Sequence, residues 1–168
     1  MNQPNRPALE VAVVIEREAS PNRWEDWRFR IVEVLPDEPA FGRTPRRLHD
    51  DGRFAHWLHP GFRVELFTDD AKGYYLNLST GTPVWFVMWR IDQDDPSIAS
   101  PQGVSLSYND AARWMDNAEE RVDSLPLPPD VREWLQAYVD VNYRPVVEPR
   151  RKPQSFLNPE ERARGARK

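Results

Sequence analysis

Pro83-Val84-Trp85-Phe86-Val87-Met88-Trp89-Arg90-Ile91 decides the fold. Successive side chains of an extended chain point to opposite faces, so Val84, Phe86 and Met88 share one face and Trp85, Val87 and Trp89 the other. Both faces are apolar. A strand of this kind is central in its sheet, with something packed on each side. The fold is built outward from it.

Before this stretch the sequence reads as a succession of strands. Leu9 to Arg17 places Val11, Val13 and Ile15 on one face and Glu10, Ala12, Val14 and Glu16 on the other. A second strand opens at Trp24 or Trp27 and runs to Leu35, with Phe29 and Ile31 alternating with Arg28 and Arg30. Arg43 to His49 is a short polar strand, and Asp50-Asp51-Gly52 is a hairpin turn into Arg53–Leu58. His59-Pro60-Gly61 is expected to turn again before Phe62, Val64 and Leu66. Thr68 to Gly73 is a turn or a single helical turn, and Tyr74, Leu76 and Leu78 alternate with Tyr75 and Asn77 as a further strand. Asp92 to Gly103 is expected as a polar loop, with a last short strand at Val104–Leu106.

The period then changes. Ser107-Tyr108-Asn109-Asp110 resembles a capping box with Asp in place of Glu. Ala111, Trp114, Met115 and Ala118 follow on one helix face. Leu125 to Pro129 is a rigid connector, and Pro129 opens a second helix with apolar face Val131, Trp134, Leu135, Tyr138 and Val141. The expected fold is α+β: an antiparallel meander sheet or partly closed β-barrel of about 6–8 strands, then two packed C-terminal helices and an extended basic tail. Residues 1–8 are expected as a disordered lead, 9–144 as one domain and 145–168 as a Pro/Arg-rich tail.

Composition excludes several chemistries. The 168 residues include no Cys, so disulfides, thiol catalysis and thiolate metal or iron–sulfur ligation are absent. No run approaches the roughly 20 apolar residues of a membrane-spanning helix, and no signal-peptide pattern is present, which predicts a cytoplasmic protein without membrane insertion. The net charge of −4 is unevenly spread. Residues 150–168 carry seven basic and two acidic side chains, +5, which leaves −9 on the rest. An acidic body repels phosphate and disfavours nucleic acid as a partner, although the tail residues Arg150, Arg151, Lys152, Arg162 and Arg164 are suited to contacts.

No phosphate-cradling glycine loop, nucleophile elbow or zinc-type motif occurs, and no catalytic residue and no cofactor is expected. His49, His56 and His59 are weak metal candidates, because His56 and His59 stand three apart on a strand and so on opposite faces. The pairs Asp50–Asp51, Asp69–Asp70 and Asp94–Asp95 adjoin turn residues and read as solvated. Tyr75, Trp85, Trp89, Arg90, Arg113 and Trp114 are the candidate partner or ligand surface, in competition with a core role for the same side chains.

Ordered motifs then add a resemblance. Val13-Val14-Ile15-Glu16-Arg17, Asn22-Arg23-Trp24, Trp57-Leu58-His59-Pro60-Gly61 and Gly73-Tyr74-Tyr75-Leu76-Asn77-Leu78 come first. Phe86–Arg90, Ser107–Asp116 and Val122–Pro129 complete the series. Together they resemble an uncharacterised bacterial domain-of-unknown-function family, number 3305, often encoded beside molybdenum- or tungsten-dependent formate dehydrogenase and its maturation factors. The resemblance implies a non-catalytic accessory protein: an assembly or maturation factor, or a small subunit, whose partner is a formate dehydrogenase subunit or its maturation machinery. The alternatives are a small-ligand or cofactor-binding enzyme and a nucleic-acid-binding regulator.

Overall fold

The computed structural model describes residues 6–20 and 27–144. Seven strands among them form two antiparallel sheets. The larger contains β1 (Ala8–Ala19), β2 (Trp27–Pro36), β3 (Arg46–Asp50) and β4 (Phe54–Glu65), in the order β2-β1-β4-β3. The smaller contains β5 (Val84–Ile91), β6 (Ala99–Ser105) and β7 (Arg121–Pro126), in the order β6-β5-β7. Helix α1 (Ala71–Leu78) connects the sheets, α2 (Tyr108–Met115) lies between β6 and β7, and α3 (Pro129–Asn142) follows β7.

The fold class is α+β, but neither barrel nor single meander. The helices alternate with strands instead of forming a C-terminal pair. As its residue pattern demands, β5 is central in its sheet. Trp85, Val87 and Trp89 join Val11, Val13 and Ile15 of β1 in one core between the sheets. Phe86 and Met88 face the other way, toward α2, where the Phe86 and Tyr108 ring centres lie 6.3 Å apart in an edge-on contact. The opposite face of β1 is also covered: Ala12 and Val14 pack with Leu58 under Val32, Leu35 and Phe41.

Four local expectations are corrected. Residues 74–78 are helix, with Ala71, Gly73, Tyr74 and Asn77 buried. His59-Pro60-Gly61 does not turn the chain but forms a bulge inside one continuous strand: Val11 pairs with Phe62 and Val13 with His59, one residue more on β4 than on β1. Gly61 supplies the positive φ of 90° that this bulge uses. The loop after β5 is shorter than its polarity suggests, since β6 begins at Ala99. The Leu125 connector is the end of β7, which pairs with β5 from Arg121 to Pro126. Proline is tolerated there because β7 is an edge strand.

The helices show why they start where they do. The Ser107 side chain accepts the Asp110 N–H at the head of α2, and Pro129 occupies the first turn of α3. Their buried faces are narrower than their sequences suggest. Met115 and Val141 are exposed, and Val139 takes the inward place expected of Val141. Of the expected lead, residues 1–5 lie outside the described residues, while the Pro7 carbonyl accepts the Leu66 N–H at 2.9 Å and Ala8 pairs with Glu65. The expected basic tail and Asn22-Arg23-Trp24 lie outside the described residues. Among the described residues no helix is long and apolar enough to cross a membrane.

The two ends of the inter-sheet space differ. Near Trp85 it is closed by α1 and α3, with Tyr74, Leu106, Leu135 and Val139 buried. Near Trp89 it opens between β3–β4 and β6.

Candidate functional site

The inward face of β1 continues past Val11, Val13 and Ile15 to Arg17, so the alternation that builds the core delivers a guanidinium to its open end. Phe29 pairs with Arg17 across β2, and Trp57 pairs with Ile15 across β4. With His59 and Arg47 they form one wall of a cleft of about 520 Å³. Ser97, Ile98, Ala99 and Ser100, at the start of β6, form the facing wall.

Arg17 is half-buried and held on three sides. Its guanidinium carbon lies 4.2 Å from the Trp27 ring centre and 4.7 Å from that of Trp57. Its Nη1 donates to the Ser97 carbonyl at 2.9 Å. A desolvated arginine ordinarily takes a carboxylate partner. Among the described residues these contacts are a carbonyl and two ring faces, and no carboxylate lines the cleft. Asp95 is near enough to feel the charge, but its Oδ1 already accepts from the Ser97 hydroxyl and amide, which chiefly hold its carboxyl below the usual range. Burial pushes the His59 imidazole below its ordinary value, so His59 is neutral at pH 7. The cations of the cleft are therefore Arg17 and the exposed Arg47, which also pairs with Asp50 at 3.5 Å.

The outer face of the same sheet handles its buried charge differently. Glu16 is 7 % exposed. Its Oε1 accepts from Arg30 Nε at 2.8 Å, and its Oε2 lies 2.8 Å from His56 Nε2. Burial alone raises this carboxyl, but the hydrogen bonds from His56 and Arg30 outweigh it and leave Glu16 below the ordinary carboxylate value. His49 stacks beside His56 at 6.0 Å and reaches Asp51 at 3.4 Å. His59 is on the other face, in the cleft. Among the described residues no three such side chains converge as a metal site.

The sequence-derived surface does not assemble. Trp85 and Trp89 are core residues, 3 % and 6 % exposed, so neither presents a surface. Tyr75 is half-buried against Tyr143, 4.9 Å between ring centres. Arg90 is paired with Glu120 and Arg113 with Asp110. Trp114 lies over Gly103, where a β-carbon would stand 3.4 Å from its ring. The paired arginines do not line the cleft. Arg150, Arg151, Lys152, Arg162 and Arg164 lie outside the described residues. The pair Asp50–Asp51 serves a turn: Asp50 accepts from Gly52 N–H and lies 3.5 Å from Arg47, and Asp51 accepts from Arg53 and Phe54 N–H.

Residues 10–152 match the model of a family described as Protein of unknown function (DUF3305). The chain belongs to this family. No curated protein and no solved structure matches it. In this DUF3305 member, two of the stretches that carried the resemblance, Val13–Arg17 and Trp57–Gly61, supply Arg17, Trp57 and His59 to the cleft. Sequence reasoning passed over Arg17 and Arg47. The signal available for Arg17 was a charge at the next inward position of an apolar stripe. Arg47 carried no such signal, because all of β3 is exposed.

Proposed function

We propose that this protein is a non-catalytic accessory protein that docks onto a partner protein through the outer edge of β3. The observation that carries this reading is the strand itself. All five residues of β3 are exposed, it ends the four-stranded sheet, and no described strand pairs with its outer side. An open edge accepts an added strand through main-chain hydrogen bonds. Arg46, Arg47 and His49 on that edge favour an acidic strand over a second basic one. Leu48, 49 % exposed, offers an apolar anchor beside them. The family resemblance supports a formate dehydrogenase subunit or its maturation machinery as the partner, and either an assembly role or a small-subunit role.

The test is affinity capture of the tagged chain from its host grown on formate, with mass spectrometry, in parallel with the variant R46E, whose side chain is not in the cleft lining. Recovery of a formate dehydrogenase subunit in fixed ratio supports a subunit role, and recovery in small amount with cofactor-insertion factors supports maturation. Either is expected to fall about tenfold or more in the variant, the scale of a reversed charge pair at an interface. Capture of no partner, or equal capture by the variant, overturns docking through β3.

A further inference from the structure

We propose that the cleft between the two sheets is a binding site for a small organic acid, a molecule with an aromatic-sized apolar body and one carboxylate. The carboxylate is received by Arg17 and Arg47, and the body lies among Phe29, Trp57 and Ile98. Three independent features point to this class. The volume, about 520 Å³, lies within the roughly 300–1,000 Å³ usual for small-molecule sites. Among the described residues the walls carry two arginines and no carboxylate, Asp50 reaching Arg47 at 3.5 Å from outside the lining, on a chain whose described body is acidic, so the local charge opposes that of the body around it. The key guanidinium is also already positioned. Trp27, Trp57 and the Ser97 carbonyl fix Arg17 in one orientation, so little side-chain freedom remains to be lost when an anion arrives. A planar guanidinium suits the two oxygens of a carboxylate. Ile98, 47 % exposed at the mouth, would be covered by an occupant.

The site shares Arg47 with β3 but is otherwise built from the inner face of the sheet, not from the main-chain edge of that strand. Its test therefore needs no partner protein. Titration calorimetry on the full chain compares 2-naphthoate, its neutral isostere 2-naphthamide and inorganic phosphate. Naphthoate is expected to bind saturably with one site per chain. Naphthamide and phosphate are each expected to bind at least about tenfold more weakly, one lacking the charge and the other the apolar body. Arg17→Gln and Arg47→Gln are each expected to weaken naphthoate several-fold or more. Arg47 is exposed, so R47Q remains informative if R17Q fails to fold. No saturable naphthoate binding at millimolar concentration overturns the proposal. So does naphthamide binding as tightly as naphthoate, or unchanged affinity in a folded R47Q and R17Q. None of these failures bears on docking through β3, which the capture experiment tests separately.

Discussion

The two ends of the inter-sheet space each hold a polar side chain, and they treat it in opposite ways. At the closed end, Asn77 is 1 % exposed and every one of its contacts is structural. Its Nδ2 donates to the Val84 carbonyl at 2.9 Å and the Leu106 carbonyl at 3.0 Å, and its Oδ1 accepts the Val84 N–H at 3.0 Å. One amide thus ties α1 to the beginning of β5 and to Leu106, the residue that follows β6. At the open end, Arg17 is fixed just as firmly, yet its contacts leave its charge without a carboxylate among the described residues. A buried amide satisfied entirely by backbone specifies a fold. A fixed guanidinium with no carboxylate among its described contacts is what the proposed anion site would use.

The largest test of this contrast is Asn77→Leu. It keeps the branched shape but leaves the Val84 N–H and two carbonyls without their Asn77 partners, and should cost about 4 kcal/mol, read as a lowered urea midpoint. Gly73→Ala comes next. A β-carbon at Gly73 would stand 2.1 Å from Ser107 Oγ, the group that caps α2, so the cap must move. The expected loss is about 2 kcal/mol in the same assay. Arg17→Gln should be far milder, about 1 kcal/mol or less, because it removes two partly exposed cation–π contacts and one hydrogen bond. A loss at Arg17 equal to that at Asn77 would erase the distinction between the two ends.

The smallest effect sharpens the comparison on the outer face, where Glu16 resembles Asn77 in having both terminal side-chain atoms hydrogen-bonded. Its carboxyl is held below the ordinary 4.5 in the folded chain. The unfolded chain therefore takes up that proton first, and the contribution is present above this value and lost as pH falls below it. Wild type should exceed Glu16→Gln in stability at pH 7, and the difference should shrink on acidification below about pH 4.5, in urea melts compared across pH. A difference that stays constant down to pH 3 would remove the Arg30 and His56 interactions as its cause.

How much of this was legible depends on which physical signal each segment carries. β5 and β1 were readable because alternation continues along both, and Ser107 and Pro129 because caps are local chemistry. α1 was not, for a reason visible in its burial. Ala71, Gly73, Tyr74 and Asn77 are buried and Tyr75, Leu76 and Leu78 half-buried, so the helix lacks a clear polar face, and its residues imitate strand alternation. β7 was hidden by proline, which an edge position permits. At the site, the inward charge of Arg17 was visible in the sequence, but its clamp was not. Trp27 and Trp57 reach it only through the pairing of three strands, which a one-residue change in either bulge would alter.

One bond between the sheets has a consequence for assembly. The Ile31 N–H of β2 donates to Asp123 Oδ2 of β7 at 2.8 Å, so a side chain from the smaller sheet occupies a main-chain donor on the larger sheet's far edge. The larger sheet therefore has a stoppered side and an open one. Among the described residues, a strand added at β3 meets no other strand, whereas one added at β2 meets Asp123 at mid-strand. Such a sheet grows from one side only. Two copies meeting β3 to β3 would close on each other as a finite pair, with no route to an indefinite ribbon.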